Sequence, residues 1–167
     1  ECFEKIEKPF YVYFDLAISI IPFCDVAVFD PSYTAMKGMR ALVTRRIHNY
    51  FFVKALDTVR DGGLVAFITS QGLLKAKNNS AARFMMLYHA DLVSAIRLPN
   101  NLFTENANTE VGSDLIILQK NSQKESLRGD DNLLDTVYND ENRIPTNNYY
   151  LVHPERFIHS TAKLDTD

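Results

Sequence analysis

Glycine is scarce in this sequence of 167 residues, and its six glycines never occur as Gly-x-Gly. A phosphate- or dinucleotide-binding turn normally needs such a segment after its first strand, because backbone amides must approach the ligand closely. The Gly-x-x-x-x-Gly-Lys-Ser sequence of P-loop proteins is also absent. The residues alone therefore identify no cofactor-binding turn.

Metal-ligand spacings and a serine nucleophile motif are missing as well. The two cysteines are Cys2 and Cys24, and the four histidines stand alone, so neither Cys-x-x-Cys nor His-x-x-x-His occurs. No Gly-x-Ser-x-Gly sequence is present. We predict no metal site, and two reduced thiols rather than a disulfide framework.

Neither charge nor hydropathy is extreme. The net charge is −3, with 46% hydrophobic and 23% charged residues, which is ordinary for a globular protein but leaves room for a local basic surface. No apolar run approaches the ~18 residues of a membrane span, and no targeting signal is visible. We expect a cytoplasmic protein without a membrane partner. A start at Glu1 rather than Met suggests a fragment of a longer protein.

Four short apolar runs predict the strands of a sheet: residues 14–21, 64–69, 92–98 and 115–118. The first run is nearly continuous and too short for a helix, which predicts a strand buried on both faces of a parallel sheet. A fifth, shorter run at residues 26–29 precedes turn residues.

In the segments between these runs, apolar residues recur at helical spacing. A first apolar stripe consists of Ile47, Phe51, Ala55 and Val59. It predicts a helix over residues 45–60 that stops at Gly62-Gly63. A second stripe consists of Ala81, Phe84, Met85 and Tyr88, and it predicts a helix capped by Asn79 or Ser80. The alternation predicts an α/β fold with a mostly parallel sheet, whose ligands bind at the carboxyl ends of the strands. Three loops form that predicted rim: residues 19–25, 69–75 and 98–104.

Composition divides the chain into three parts. Residues 1–120 contain the predicted strands and helices. Residues 121–148 are rich in Ser, Asp, Asn, Lys and Glu, which predicts a polar linker or surface loop. Aromatic residues return in 149–167, which we interpret as the start of a following segment.

A Pro-aromatic pair, Pro22-Phe23, follows the first predicted strand. Four later segments belong with this stretch: 50–56, 61–69, 95–103 and 113–120. Together these segments resemble adenine-N6 DNA methyltransferases, and especially the methylase domain of the large methylase-helicase proteins of Bacteroides-type mobile elements. The resemblance spans roughly residues 13–164. It implies the second half of a Rossmann-like sheet, mostly parallel with an antiparallel last strand, in a methyltransferase dependent on S-adenosylmethionine. The cofactor-binding first half would lie upstream.

The resemblance places the catalytic loop at Ile20, Ile21, Pro22 and Phe23. In the family an Asn occupies the position of Ile20. The Asn side chain and a neighbouring backbone carbonyl hold the adenine amine, and the aromatic residue stacks on the flipped base. Ile20 has no side-chain acceptor, and loss of one such contact costs about 2.7–4 kcal/mol in the transition state. We therefore expect impaired methyl transfer. Cys24 replaces a family glycine, which predicts an altered loop if that position needs positive φ.

Two further sets of residues stay open as site candidates. Asp30, Pro31 and Tyr33 resemble the Asp-Pro-Pro-Tyr form of the motif and are the alternative catalytic placement. The second set is a basic cluster that consists of Lys37, Arg40, Arg45 and Arg46. This cluster could contact DNA phosphates, or it could form the solvated start of a helix.

The resemblance also implies a cofactor and partners. The cofactor is S-adenosylmethionine, and the partners are DNA, the missing N-terminal half and a helicase region. The alternative function is a catalytically inactive DNA-binding or scaffold remnant of a restriction-modification or conjugative-element protein.

Overall fold

A computed structural model describes residues 3–6, 11–36, 38–103, 111–127, 129–138 and 144–159. The strands of the main sheet are β1 (Phe14–Ile20), β2 (Val59–Ser70), β3 (Ala90–Leu98) and β4 (Ser113–Lys120). A smaller sheet pairs β5 (Thr136–Tyr138) with β6 (Pro145–Asn147). The helices are α1 (Pro31–Thr34), α2 (Met39–Val43), α3 (Ile47–Thr58), α4 (Gly72–Lys75), α5 (Ser80–His89) and α6 (Asn148–Val152).

The main sheet is mixed and has the strand order β1-β2-β4-β3. β1 pairs with β2 in parallel, whereas β4 is antiparallel to both of its neighbours. β1, β2 and β3 therefore run in one direction, and β4 runs against them. The predicted α/β class is confirmed.

Helix α3 forms the core with one face of the sheet, as its periodicity predicts. Phe52 and Leu56 are buried, and the ring of Phe52 lies 5.1 Å from that of Phe67 on β2. The helix ends at Thr58, however, and the chain enters β2 directly, so Gly62 and Gly63 are strand residues rather than a helix stop.

The Gly-Gly pair lies where the register between β1 and β2 shifts. A Cβ on Gly63 would lie 2.8 Å from the carbonyl oxygen of Arg60 and 3.1 Å from that of Asp15. Glycine is therefore required by the close approach of two backbones in this bulge.

The prediction that β1 is buried on both faces is wrong. β1 is an edge strand, and Leu16, Ile18 and Ile20 are 52%, 75% and 55% exposed. Their register partners on β2 and β4 are exposed or half-buried on the same face. We call this surface the open face; its members are Leu16, Ile18 and Ile20, with Leu64, Ala66, Ile68, Leu115 and Ile117 beside them. Residues 26–29 form no strand.

Helix α5 exists as predicted, but its burial extends beyond the predicted stripe. Met85 of that stripe is buried and Tyr88 is exposed, while the helix also buries Ala82, Arg83, Met86 and Leu87. Arg83 turns inward because its guanidinium donates to the carbonyl oxygens of Leu73, Ala76 and Leu134 at 2.7–2.9 Å. Asn79 occupies the cap position, but its side chain donates to the carbonyl oxygen of Gly72 instead of capping the helix.

Residues beyond β4 pack on the same core. Leu133, Tyr149 and Tyr150 are buried, and the Asn147 amide donates to the carbonyl oxygens of Leu74 and Leu133. The division at residues 120 and 148 stays a prediction. Of the helices described, none is both long and apolar enough to cross a membrane.

Candidate active site at the carboxyl ends of β1 and β2

The Pro-Phe loop leaves the sheet at the carboxyl end of β1. Ile20 ends the strand, and the buried Ile21 extends its pairing by donating its N–H to the carbonyl oxygen of Ile68 at 2.8 Å. Phe23 is half-buried, and its ring meets that of Phe103 edge to face at 5.2 Å. Phe103 is not among the site residues predicted from the sequence, although it lies in the predicted rim loop 98–104 and in the resembling segment 95–103.

A cleft of about 220 Å³ opens beside Phe23. Its other walls come from the end of β2 and the approach to β4, and they are Ser70, Gln71, Val111 and Gly112. The Gln71 N–H donates to the carbonyl oxygen of Gly112 at 2.8 Å, and a Cβ on Gly112 would overlap the Gln71 side-chain amide. An aromatic face, a hydroxyl and an amide therefore converge, which suits a planar, polar ligand.

The described cleft residues do not fit S-adenosylmethionine by themselves. None of them is acidic, so no carboxylate is available there for ribose hydroxyls, and they contain no glycine-rich turn. Within the described ranges, no group of three His, Cys, Asp or Glu side chains could hold a metal ion.

Buried His48 contacts the chain next to two of the cleft residues, Phe23 and Ser70. Its Nδ1 lies 2.9 Å from the Thr69 hydroxyl on β2, and its ring also hydrogen-bonds the backbone of Cys24, next to Phe23. Cys24 has no positive φ, so replacing the family glycine does not impose a strained loop backbone here. His48 is one of the four histidines that stand alone in the sequence, so no local pattern marks this positioning contact.

Stability should fall as the pH decreases through the titration range of His48. Burial lowers the pKa of His48 below its ordinary value of about 6.5, with Arg46 acting in the same direction and Asp25 against it. The unfolded chain therefore binds a proton that the folded ring resists, so this contribution is present above about pH 6.5 and is lost as the pH falls. We expect a lower free energy of unfolding in urea at about pH 5.5 than at about pH 7.5.

The His48→Gln variant isolates that contribution. In this variant the difference in the free energy of unfolding between the two pH values should shrink. It should not vanish, because burial also lowers the pKa of His89. The variant His153→Gln makes the same substitution at a more exposed position outside this site and is the control. An unchanged pH dependence in His48→Gln would contradict the assignment.

Of the alternative catalytic residues, Asp30 and Tyr33 lie in the interior, whereas Pro31 is exposed. The Asp30 carboxylate caps α1 and accepts hydrogen bonds from Ser32, Tyr50 and Lys54 at 2.6–3.0 Å. Burial alone would raise the pKa of Asp30, but these bonds lower it to about 2. Tyr33 is fully buried, and its hydroxyl donates to Asp57. With Pro31 at the start of α1, this group forms a structural network and lines no described cleft wall near Phe23.

The structure does not gather the basic cluster into one surface. Arg40 forms a bidentate pair with Asp57 at 2.8 and 3.1 Å, and Arg46 pairs with Asp25 at 2.7 Å. Arg45 is exposed and lines a groove of about 320 Å³ together with Arg46. Lys37 lies outside the described residues.

Comparison with known proteins identifies a family. The sequence model of the family described as N-6 DNA Methylase matches residues 17–153, which is most of the chain. A search of curated proteins found no significant match.

Solved structures share the fold at low sequence identity. One is the crystal structure of a protein assigned as a modification subunit of a type I restriction enzyme from Vibrio vulnificus YJ016. It matches with a TM-score of 0.54 and 14% identity, and the match covers 71% of this chain and 25% of the other. A protein assigned as a class I S-adenosylmethionine-dependent methyltransferase from Listeria monocytogenes gives 0.52 and 17%, covering 67% and 33%. A type I restriction-modification complex gives 0.51 and 15%, covering 65% and 21%. This chain thus spans a third or less of each neighbour.

Proposed function

Because this chain belongs to the N-6 DNA methylase family, we propose that it is the second, base-binding half of a DNA adenine-N6 methyltransferase domain. The observation that carries this proposal is the cleft at the carboxyl ends of β1 and β2, where Phe23 faces Ser70 and Gln71. Ligands of open α/β sheets bind at this edge.

The chain's own groups have separate roles at this cleft. Phe23, steadied by Phe103, stacks on the flipped adenine, and the carbonyl of Ile21 accepts a hydrogen bond from its N6 amine. Ile20 offers no acceptor, so the amine lacks the second contact that would hold it toward the methyl donor. S-adenosylmethionine, the donor that the family resemblance implies, supplies the methyl group when bound. We therefore propose an impaired enzyme, with a catalytically inactive DNA-binding or scaffold remnant as the alternative that Ile20 favours.

The open face supports the proposal that another segment covers this side of the sheet. Methyltransferase-like α/β sheets carry helices on both faces, whereas Leu16, Ile18 and Ile20 are exposed here. We propose that the covering segment belongs to a cofactor-binding half in a longer, cytoplasmic protein of a mobile element, together with a helicase region. The type I restriction-modification neighbours support DNA and other subunits as partners.

Stacking on Phe23 can be measured with 2-aminopurine, an adenine analogue whose fluorescence falls when it stacks. In a single-stranded oligonucleotide, its signal should be quenched by the chain. Phe23→Ala should weaken this binding by about 1–3 kcal/mol, or roughly 5- to 150-fold, because one base–aromatic stack is lost.

Phe29→Ala is the matched control, since Phe29 is 81% exposed and does not line the cleft. It should quench the probe as the unmodified chain does. Equal quenching by Phe23→Ala and the unmodified chain would contradict base binding at this site.

A further inference from the structure

A second pocket, of about 310 Å³, lies beside the cleft at the carboxyl ends of β2 and β3. Gln71 lines both spaces, so the pocket and the cleft border the same residue. The residues that give this pocket its character are Gln71, Lys75, Arg97, Asn100, Thr146 and Phe157. None of the described residues that line it is acidic.

Lys75 supplies the uncompensated positive charge of this pocket. It ends α4, is half-buried, and forms no ion pair within the described ranges. Asp114, the buried carboxylate that Lys75 influences, is already engaged by Arg97 at 2.6 Å and by the Tyr150 hydroxyl at 2.8 Å. Two cations therefore share one buried carboxylate.

Arg97 is fixed as part of the wall. Its guanidinium lies 5.1 Å from the ring centre of Tyr150 and 5.2 Å from that of Phe157. Its Nη1 also donates to the Gln71 side chain at 3.4 Å. Because Gln71 borders the cleft, the pocket and the cleft share one hydrogen-bonded wall.

We infer that this pocket binds a backbone phosphate of the DNA strand next to the flipped base, an inference that rests on the proposed function. The Lys75 ammonium and the side-chain amides of Gln71 and Asn100 donate to the phosphate oxygens. Phe157 offers an apolar face to the adjoining sugar. The contact positions the strand and reads no base sequence.

The test measures binding of a fluorescein-labelled single-stranded oligodeoxynucleotide with one adenine, by fluorescence anisotropy over a salt series. Lys75→Gln should weaken binding about fivefold at low salt and make the slope of log K against log salt less negative by about 0.7, since one phosphate contact is lost. Lys77→Gln is the matched control, because Lys77 is exposed two residues away and does not line the pocket. It should change affinity by less than about twofold. Circular dichroism checks that both variants fold.

Three results would overturn the inference: an equal effect of both variants, no effect of Lys75→Gln, or no DNA binding by the unmodified chain at low salt. An oligonucleotide with an abasic site in place of the adenine separates the two proposals. If the unmodified chain binds the abasic oligonucleotide as tightly as the one with adenine, while Lys75→Gln still weakens binding, the proposed base binding is contradicted and the phosphate pocket is supported. If the abasic substitution weakens binding but Lys75→Gln does not, the phosphate pocket alone is contradicted.

Discussion

Replacing Ile20 with asparagine is expected to raise the rate of methyl transfer to DNA by about 10²–10³-fold in a protein that carries both halves of the domain. The substitution adds the side-chain acceptor that the amine lacks beside the Ile21 carbonyl. In this chain alone it should cost little stability, because Ile20 is 55% exposed at the end of an edge strand. The measurement is transfer of a labelled methyl group from S-adenosylmethionine to DNA.

Val93→Asn provides the matched control for this gain. Val93 is 52% exposed on β3, at the opposite edge of the sheet from β1, so the variant makes a similar polar change away from the motif loop and the open face. It should leave the rate unchanged. Full activity of the unmodified protein would show that Ile20 is no impairment, and an inactive Ile20→Asn protein would favour the remnant function.

Replacing Asp30 with alanine is expected to lower the free energy of unfolding by about 3–5 kcal/mol, measured by urea denaturation. The variant leaves the Lys54 ammonium buried without its carboxylate and removes the acceptor for Tyr50 and Ser32. Asp25→Ala, which breaks the exposed pair with Arg46, should cost less than about 1 kcal/mol.

The acid limb of the stability curve gives a second check on Asp30. Because the folded pKa of Asp30 is lowered to about 2, its ionised form stabilises the protein above an unfolded pKa of about 3.9. That contribution is lost as the pH falls through about 2, so Asp30→Ala and the unmodified chain should converge in acid. An Asp30→Ala protein with full stability and no methyl transfer would instead favour the alternative catalytic placement.

Local periodicity predicted where helix α3 lies but not how much of it is buried. Its spacing predicted its limits within two residues. Buried residues occur around most of the helix, however, because it packs on the sheet in one direction and in a second cluster with Tyr33, Val43 and Met85 in another. The Pro-Phe pair likewise marked the end of β1 and the position of the cleft.

Contacts between distant segments could not be read from the sequence in this way. Arg83 is buried because carbonyl oxygens on either side of it in the chain, as far as Leu134, need donors, and no local signal marks an inward-facing arginine. His48 and Phe103 similarly acquire their place from segments that meet only in the folded chain. The exposure of β1 depends on what covers the sheet, which its apolar sequence cannot specify.

The open face makes the order of synthesis matter for this protein. Its exposed aliphatic side chains, beside the unpaired backbone groups of the edge strand β1, can associate with another copy in a reaction that is second order in the uncovered chain. Docking of a covering segment from the same polypeptide is first order and does not depend on concentration. The yield of native protein should therefore fall as the concentration of uncovered chain rises, and it should fall less when the covering segment is present in the same polypeptide.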